Sequence, residues 1–295
     1  MSSALIGQVF LPLSLFIIMF SVGIALKLDD FKQVFRQPLP IGLGLVLQLL
    51  LLPLLGWLVV WLFALPPVLA LGLLILTLAP GGATSNAISL LARGDAALSV
   101  SLTAITSLIT PFSIPLITAW WLSLWLGQSE ALVFPVMQAI LQMLLIALLP
   151  VVLGVLMHQR WPGFSQRLQA PMRRLAFLLM LSTVLLLVWT QRVRLETLLA
   201  EMFWPVVLLV LLAMLCGYGM ARLVGLNDGQ QITLLIETGL QNAGTALVVT
   251  GTLLQNPQMS AVVLLYGVLM QVPALLLIGW RNRQGLRSLY VWAAR

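Results

Sequence analysis

Residues 79–86 read Ala-Pro-Gly-Gly-Ala-Thr-Ser-Asn and lie in the middle of an apolar segment, 68–92. Residues 237–244 read Glu-Thr-Gly-Leu-Gln-Asn-Ala-Gly and lie in the middle of a second apolar segment, 231–254. Proline lacks a backbone donor and glycine loosens a helix, so each stretch should interrupt the helix that contains it. In lipid, the backbone groups freed at such an interruption must be satisfied by protein or by water. The two stretches therefore predict a pair of broken helices that line a protected polar cavity.

The overall composition indicates that lipid surrounds most of the chain. Of the 295 residues, 61% are hydrophobic and 8% are charged, whereas a soluble domain carries about 25% charged residues. The apolar runs, such as 46–55 and 206–215, are long and unbroken, which favours spanning helices over the alternating strands of a barrel. The first run lacks a basic flank and is long enough to span, so we expect a helix there and not a cleaved leader. The sequence predicts an all-α polytopic membrane protein.

Nine spans fit the apolar segments, within a single transmembrane domain that covers residues 1–295. Their expected positions are 5–26, 39–63, 68–92, 96–126, 131–157, 175–191, 204–222, 231–254 and 260–280. The broken helices are then the third and the eighth spans, which cross the membrane in opposite directions. This arrangement is typical of an inverted repeat, here of four and five helices, in which discontinuous helices at matching places form the substrate and ion site.

The basic residues predict the orientation of the chain. All but two of the 15 Lys and Arg residues, Arg192 and Arg194, fall on the same side of the nine-span arrangement. Because basic residues favour the cytoplasmic side, we expect a multi-pass inner-membrane protein with a periplasmic N-terminus and a cytoplasmic C-terminus. The net charge of +7 then reflects this bias, and neither nucleic acid nor an obligate protein partner is expected.

Glu237 is the one acidic residue expected inside a span. Packing of small residues would explain the glycines of the two stretches, but not their polar residues. A charge at the bilayer centre costs about 2.5–3.5 kcal/mol or more, and no Lys or Arg is expected at the same depth. The missing partner of Glu237 is therefore a bound cation or a proton.

The side chains expected at this depth offer oxygen ligands. Hard cations prefer oxygen, and the soft ligands that copper or zinc would need are absent, since the chain has one Cys and one His. Sodium and the proton both remain open as the coupling ion. The candidate oxygens belong to Glu237, Gln48, Ser85, Asn86, Ser99, Thr103 and Gln241, together with carbonyls freed at the breaks.

Three motifs carry a resemblance to a known family. They are the stretch 80–86 followed by 92–100 (Ala-Arg-Gly-Asp-Ala-Ala-Leu-Ser-Val), the pattern Glu237-x-Gly239-x-Gln241-Asn242, and the opening 17–20 (Ile-Ile-Met-Phe) with Lys27, Asp30 and Phe31. Over nearly the whole chain, the sequence resembles the bile acid:sodium symporter family. The resemblance implies a core domain, here spans of about 39–126 and 204–280, and a panel domain, here 5–26 and 131–191. Some bacterial relatives have ten spans, so the nine expected here are a departure.

The resemblance also implies a set of site residues and two sodium ions carried with the substrate. One sodium ion would use Ser85, Asn86, Ser99, Thr103 and Glu237. The second would use Gln48, Glu237 and Gln241 with the carbonyls of Thr238 and Leu240. Asn242 would face the substrate, and Ala83, Thr84, Ala243 and Gly244, beside the two breaks, would complete the substrate-binding residues.

The half-helices after the breaks indicate the charge of the substrate. They should begin near Asn86 and Gly244 and point their N-termini into one cavity, where partial positive charge and free N–H groups favour an anion. The predicted function is secondary active transport by alternating access: sodium-coupled symport of a small organic anion (carboxylate or keto acid, pantoate or bile-acid-like). Apart from two Na⁺ as coupling ions, no cofactor is expected.

Other functions fit the sequence less well. A proton-coupled anion exporter or an arsenite-type exporter of related fold is the main alternative, but the latter should carry a cysteine in a broken span, whereas Cys216 lies in the plain seventh span. An enzyme is disfavoured because there is no HExxH motif, no second acid near Glu237 and only one histidine, His158. A structural or receptor role would show as a failure to accumulate any solute.

Overall fold

The computed structural model describes residues 6–27, 29–30, 32, 36–126 and 134–293, and all regular elements within these ranges are helical. The helices of the first half are α1 (Leu11–Ala25, after a π-helical turn at Ile6–Phe10), α2 (Pro38–Leu62), α3 (Pro67–Thr77), α4 (Ala83–Leu91) and α5 (Ala96–Leu126). Those of the second half are α6 (Val136–Arg160), α7 (Pro162–Leu223), α8 (Asp228–Gly239), α9 (Ala243–Leu247, continued by the π-helical Val248–Leu253), α10 (Pro257–Leu269) and α11 (Gln271–Ala293).

Seven stretches in the described ranges are long and apolar enough to cross a membrane, so the chain is a polytopic helical membrane protein. They are Gln8–Ala25, Pro38–Leu62, Ala96–Trp125, Val136–Arg160, Thr197–Leu223, Asp228–Leu253 and Pro257–Arg283. The predicted third span is divided into the short helices α3 and α4. The count of nine spans stays a prediction, and its boundaries at 5 and 131, like Arg295, lie outside the described residues.

The predicted loop between the sixth and seventh spans is replaced by helix, because α7 runs through both spans and through residues 192–194. No glycine or proline lies between Pro171 and Pro205, so nothing in that segment stops a helix. Both ends of α7 pack on the bundle: Gln169 bonds to Ile24 of α1, and Met214 lies against Gly239 of α8. A straight helix would separate these two contacts by roughly 70 Å. The short helix α1 contacts both regions: Ile24 bonds to Gln169, and Leu15 lies beside Gly244 at the start of α9, which follows α8. The two contacts of α7 are therefore much closer than roughly 70 Å, and we infer that α7 bends between them.

α1, α6 and the beginning of α7 form one packed group. A Cβ atom on Gly154 of α6 would lie 2.6 Å from the backbone N of Ile24, and Gly23 meets Val151 in the same way. Gln169 of α7 donates to the Ile24 carbonyl at 3.2 Å. Small residues thus allow the backbones of α1 and α6 to touch. These are the segments that the sequence assigns to the panel.

The remaining helices pack around α3, α8 and α10. Gly72 of α3 lies against Met259 of α10, and Gly217 of α7 lies against the Leu234 carbonyl of α8. Leu71, Leu73 and Leu74 of α3 are fully buried. A short, buried α3 and a polar, buried α8 therefore occupy the middle of this second group, where lipid cannot reach their interrupted ends.

Two π-helical turns interrupt otherwise regular helices, at Leu47–Leu51 in α2 and at Leu144–Leu148 in α6. Each is followed two residues later by a proline, Pro53 or Pro150, which cannot donate to the preceding turn. π-turns are rare and occur often at functional sites. The first of them contains Gln48, one of the predicted cation ligands.

Candidate functional site

The two interrupted segments lie against each other in the middle of the bundle. Residues 78–82 separate α3 from α4, and residues 240–242 separate α8 from α9. The backbone N–H of Asn242 donates to the Ala79 carbonyl at 2.9 Å, which joins the two breaks directly. The polar backbone freed by each break is thus partly satisfied by the other, as a buried site requires.

Glycine is needed where the breaks cross. A Cβ on Gly81 would lie 2.5 Å from Ser85 Oγ, 2.9 Å from the Leu240 carbonyl oxygen and 3.0 Å from Glu237 Oε2. Any larger residue at this position would therefore push into oxygen atoms from both halves of the protein. Gly82 has an extended backbone and precedes the first residue of α4.

The half-helices after the breaks begin close to the predicted positions. α3 ends at Thr77 and α8 at Gly239, while α4 begins at Ala83 and α9 at Ala243. α4 thus starts three residues before the expected Asn86, because the chain becomes helical as soon as the flexible Gly81–Gly82 pair ends. The Asn242 side chain caps α9 by accepting from the Thr245 N–H at 3.1 Å.

Glu237 lies in a cluster of oxygen and amide groups and is fully buried. Its Oε1 is 2.5 Å from Ser99 Oγ, and its Oε2 accepts from Gln48 Nε2 at 3.1 Å. No basic side chain pairs with it in the described part of the chain, where the ion pairs are Lys32–Asp29 and Arg281–Asp228. A buried, unpaired carboxylate is costly, so the cluster is incomplete without a positive charge or a proton.

Ser99 lies between more hydrogen-bond acceptors than its one hydroxyl proton can serve. Ser99 Oγ lies 2.6 Å from Asn86 Oδ1 as well as 2.5 Å from Glu237 Oε1, yet a hydroxyl has only one proton to donate. Thr103 Oγ1 donates to the same Asn86 oxygen at 3.0 Å. Ser85, which donates to the Gly82 carbonyl at 2.9 Å, borders this group. The five residues predicted for the first sodium ion are thus brought together by α4, α5 and α8.

A second group of oxygens lies on the other side of the Glu237 turn. Gln48 Nε2 also donates to the Glu237 carbonyl at 3.0 Å, and Gln241 Nε2 donates to the Thr238 carbonyl at 2.8 Å. The side-chain oxygens of Gln48 and Gln241 are buried and have no hydrogen-bond partner among the residues that the structure describes. A buried acceptor without a partner costs about 1–3 kcal/mol. Both oxygens are therefore available to a bound cation.

A narrow cavity of about 20 Å³ adjoins the crossing. Its floor is the first break, from Ala79 to Gly82, with Asn242 and Thr245 beside it. The facing wall is formed by Met19 and Val22 of α1 and by Ala147 of α6. The cavity thus lies between the α1–α6 group and the breaks.

The third wall is a stripe of hydroxyl side chains on α5, of which the sequence analysis predicted only Thr103, as an ion ligand. Thr103, Thr106, Ser107 and Thr110 line the cavity, and their spacing of three, four and seven residues puts them on one helical face. Thr106 and Ser107 donate to carbonyls of their own helix, so they offer acceptor lone pairs to the cavity. Periodic polar residues in an apolar helix were the sequence signal for this wall. Thr245 was also missed.

The five predicted substrate residues are not all at the cavity. Asn242 lines it, whereas Ala83 and Thr84 are exposed on another face of α4. Ala243 is buried beside Gly267 of α10, and Gly244 lies between Asn242 Oδ1 and Leu15. The reason is rotation within a helix: residues in the first turn of α4 and α9 point in different directions, and of the five predicted residues only Asn242 lines the cavity, together with Thr245.

Comparison with known proteins agrees with this architecture. The model of the Sodium Bile acid symporter family matches residues 12–196. A P3 protein from Bos taurus is 36% identical over 241 residues, which are 80% of this chain and 49% of the relative. The uncharacterized sodium-dependent transporter YocS of Bacillus subtilis is 27% identical over 290 residues, 97% of this chain and 84% of YocS.

A plant relative has a similar description. The probable chloroplastic sodium/metabolite cotransporter BASS1 of Oryza sativa subsp. japonica is 31% identical over 269 residues, 90% of this chain and 64% of BASS1. The chain spans about half the length of the P3 proteins that it matches. More than half of the chain matches the family model, and the relatives named for an activity are sodium-dependent transporters. The chain belongs to the sodium bile acid symporter family, a family of sodium-coupled transporters.

Proposed function

We propose that this chain is a sodium-coupled symporter that moves a small organic anion across the inner membrane by alternating access. The observation that carries the proposal is Glu237, a fully buried carboxylate among hydroxyl and amide groups, with no basic partner in the described ranges. A site of this kind favours a hard cation with oxygen ligands.

Two sodium ions would occupy the two oxygen groups on either side of Glu237. The first would be held by Ser85, Asn86, Ser99, Thr103 and Glu237. The second would be held by Gln48, Gln241 and Glu237 with the carbonyls of Thr238 and Leu240. The single proton of Ser99 between two acceptors supports the first position. The unpaired oxygens of Gln48 and Gln241 support the second.

The organic anion would bind in the cavity beside the crossing. α4 and α9 both begin at the breaks, and their N-termini carry partial positive charge and free N–H groups. Asn242 would orient the substrate, while the hydroxyl stripe on α5 would accept hydrogen bonds from it. Sodium beside the cavity would lower the electrostatic cost of the anion, and the anion would tighten sodium by the same factor.

Alternating access requires two parts that move against each other. The cavity lies between α1 and α6 on one side and the crossing breaks on the other, which supports the division into a panel and a core. Movement of the panel across this boundary would open the cavity to either side of the membrane while the ion ligands, all in the core, stay together.

Uptake by proteoliposomes tests the proposal directly. Short carboxylates, keto acids, pantoate and bile acids would be screened with an inward sodium gradient and with an equal potassium gradient. Accumulation is expected only with sodium. If two sodium ions accompany a monoanion, uptake should quicken with an inside-negative potential set by valinomycin, since moving a charge is worth about 2.3 kcal/mol per 100 mV. A preferred substrate that is neutral or cationic would overturn the proposed site.

A proton is the alternative coupling ion, and one distance in the cluster would fit a proton on Glu237. The 2.5 Å between Ser99 Oγ and Glu237 Oε1 would also suit a protonated Glu237 that donates to Ser99. Uptake that follows an imposed pH gradient and ignores sodium would replace sodium by the proton. Cys216 lies in α7, outside both breaks and outside the residues that line the cavity, so an arsenite-type site has no support.

A further inference from the structure

A second hollow, largely open and of about 690 Å³, lies on the outer surface of α1 and α6. Its walls are apolar: Phe20 of α1 with Leu153, Leu156 and Met157 of α6. Its rim, where α6 ends, is polar and consists of Gln159, Arg160 and Trp161. It shares no residue with the oxygen cluster or with the cavity beside the breaks.

The walls of the hollow continue a face that lipid covers. Leu145, Leu149 and Val152 are exposed on the same helix, one and two turns before the hollow. Exposed apolar side chains on a spanning helix contact acyl chains. At the rim, the Arg160 guanidinium carbon lies 5.9 Å from the centroid of the Trp161 ring. Trp with a basic residue at the end of a spanning helix is typical of the headgroup level of a membrane.

The segment that forms the rim carries only positive charges. Residues 131–195 contain no Asp or Glu. Arg160 and the three arginines that follow it in the sequence, Arg167, Arg173 and Arg174, are all exposed. None of the four takes part in either of the ion pairs found in the described ranges. An anionic group at the rim would therefore meet unpaired positive charge and no repulsion from a nearby carboxylate in this segment.

We propose that the hollow binds one anionic phospholipid, with an acyl chain along Phe20, Leu153 and Leu156 and the phosphate beside Arg160. The hollow offers a surface for each part of a phospholipid. Its apolar walls fit an acyl chain that enters from the bilayer, and its basic rim fits a negatively charged headgroup. A general excess of basic residues on this side of the membrane would attract anionic lipids everywhere, but would not hold one at this position. The proposal does not depend on what the protein transports.

Native mass spectrometry of the purified protein tests the headgroup contact. The full chain would be equilibrated with equal amounts of phosphatidylglycerol and phosphatidylethanolamine before the retained lipid is measured. Arg160→Gln should lower the ratio of retained phosphatidylglycerol to phosphatidylethanolamine at least threefold, and Arg160→Lys should restore most of it. Arg222→Gln is the matched control, because Arg222 is an exposed arginine at the end of α7 and outside the hollow. Equal losses in both glutamine variants, or no preference for phosphatidylglycerol in the parent protein, would overturn the proposal.

Fluorescence quenching tests the position of the acyl chain. The emission of Trp161 is obtained as the difference between the parent protein and Trp161→Phe. Phosphatidylglycerol with brominated acyl chains should quench this emission at least twofold more strongly than brominated phosphatidylethanolamine at the same mole fraction. Equal quenching by the two lipids would mean that Trp161 contacts only bulk bilayer, and the proposed site would be abandoned.

Discussion

Glycine brings helices together in two regions of this molecule, at the α1–α6 contact and at the crossing of the two breaks. At the first, the three atoms nearest to a Cβ on Gly154 would be backbone atoms of α1, namely Ile24 N, Gly23 C and Phe20 O at 2.6–2.7 Å. At the second, a Cβ on Gly81 would meet Ser85 Oγ, the Leu240 carbonyl and Glu237 Oε2. Both contacts are close, but only the second is lined by oxygen atoms that lack enough positive partners.

The difference teaches that glycine alone does not mark a site in a membrane helix. α1 and α6 keep their helices across the contact, so Gly23 and Gly154 serve close packing. The breaks combine glycine with a helix interruption and a buried acid, so Gly81 lets oxygen atoms from both halves of the protein approach one another. Five substitutions in four experiments, ordered from the largest expected effect to the smallest, would break or sharpen this comparison.

Glu237→Gln should abolish sodium-driven uptake, with a loss of at least 100-fold, or about 2.8 kcal/mol. The carboxylate is shared by both proposed ion positions and is the only negative group among their ligands. Glu201→Gln is the control, because Glu201 is an exposed acid on α7 and its loss should leave uptake unchanged. Normal sodium-driven uptake by Glu237→Gln in proteoliposomes would remove the basis of the ion sites.

Gly81→Ala should impair sodium binding, whereas Gly154→Ala should lower the stability of the fold. The added methyl at Gly81 enters the oxygen cluster, so the sodium concentration for half-maximal uptake should rise at least tenfold, or about 1.4 kcal/mol. The methyl at Gly154 overpacks two backbones, which should lower the free energy of unfolding by about 1–3 kcal/mol with an unchanged sodium requirement in the folded fraction. Gly279→Ala, with open space around the new Cβ, should change neither quantity. If Gly81→Ala lowers only the thermal stability, the two regions do not differ as described.

Ser99→Ala should raise the sodium requirement by roughly tenfold, or about 1.4 kcal/mol, since one neutral ligand is lost while the other ligands remain. Ser101→Ala is the matched control: Ser101 is equally buried on α5, but its hydroxyl donates to the Ala97 carbonyl of its own helix at 2.7 Å. Sodium titration of uptake distinguishes the variants. Similar sodium requirements in both would place the ion away from Ser99.

Thr110→Val should raise the KM for the transported anion about twofold to tenfold, because a single hydrogen bond contributes about 0.5–1.5 kcal/mol. The sodium requirement at saturating substrate should stay the same. Thr118→Val provides the comparison, since Thr118 is a buried hydroxyl residue on the same helix outside the cavity. A larger change in KM for Thr118→Val than for Thr110→Val would argue against the hydroxyl stripe as part of the substrate site.

Local sequence was informative where a residue type has only one physical outcome. Pro80, Gly81 and Gly82 cannot continue a helix in the usual way, and the chain is non-helical at 78–82. An acid in an apolar segment needs oxygen or amide neighbours, and Glu237 has Ser99 and Gln48. Both were predictable because lipid removes the alternatives that water would offer.

Other features depended on distant parts of the chain. Arg192 and Arg194 were expected in a loop, but the helix formers around them continue α7 without a break. Ala83 and Thr84 were expected at the substrate, but rotation of α4 places them on an exposed face. A one-residue change in where a helix begins turns a side chain by about 100°, so sequence spacing alone does not decide which residues of a first turn face a cavity.

Composition, the interruptions and the single buried acid determined from sequence alone that this protein is helical, lies in a membrane and carries a polar site at two broken helices. Periodicity and lipid exclusion are local effects, and they act on each segment separately. Only the tertiary structure decided that Asn242 bonds to Ala79, that Gln48 in a π-turn reaches Glu237, and that α1 and α6 close the cavity. These contacts join residues up to 189 positions apart. They depend on which apolar helices pack against each other, and a local sequence pattern carries no information about that choice.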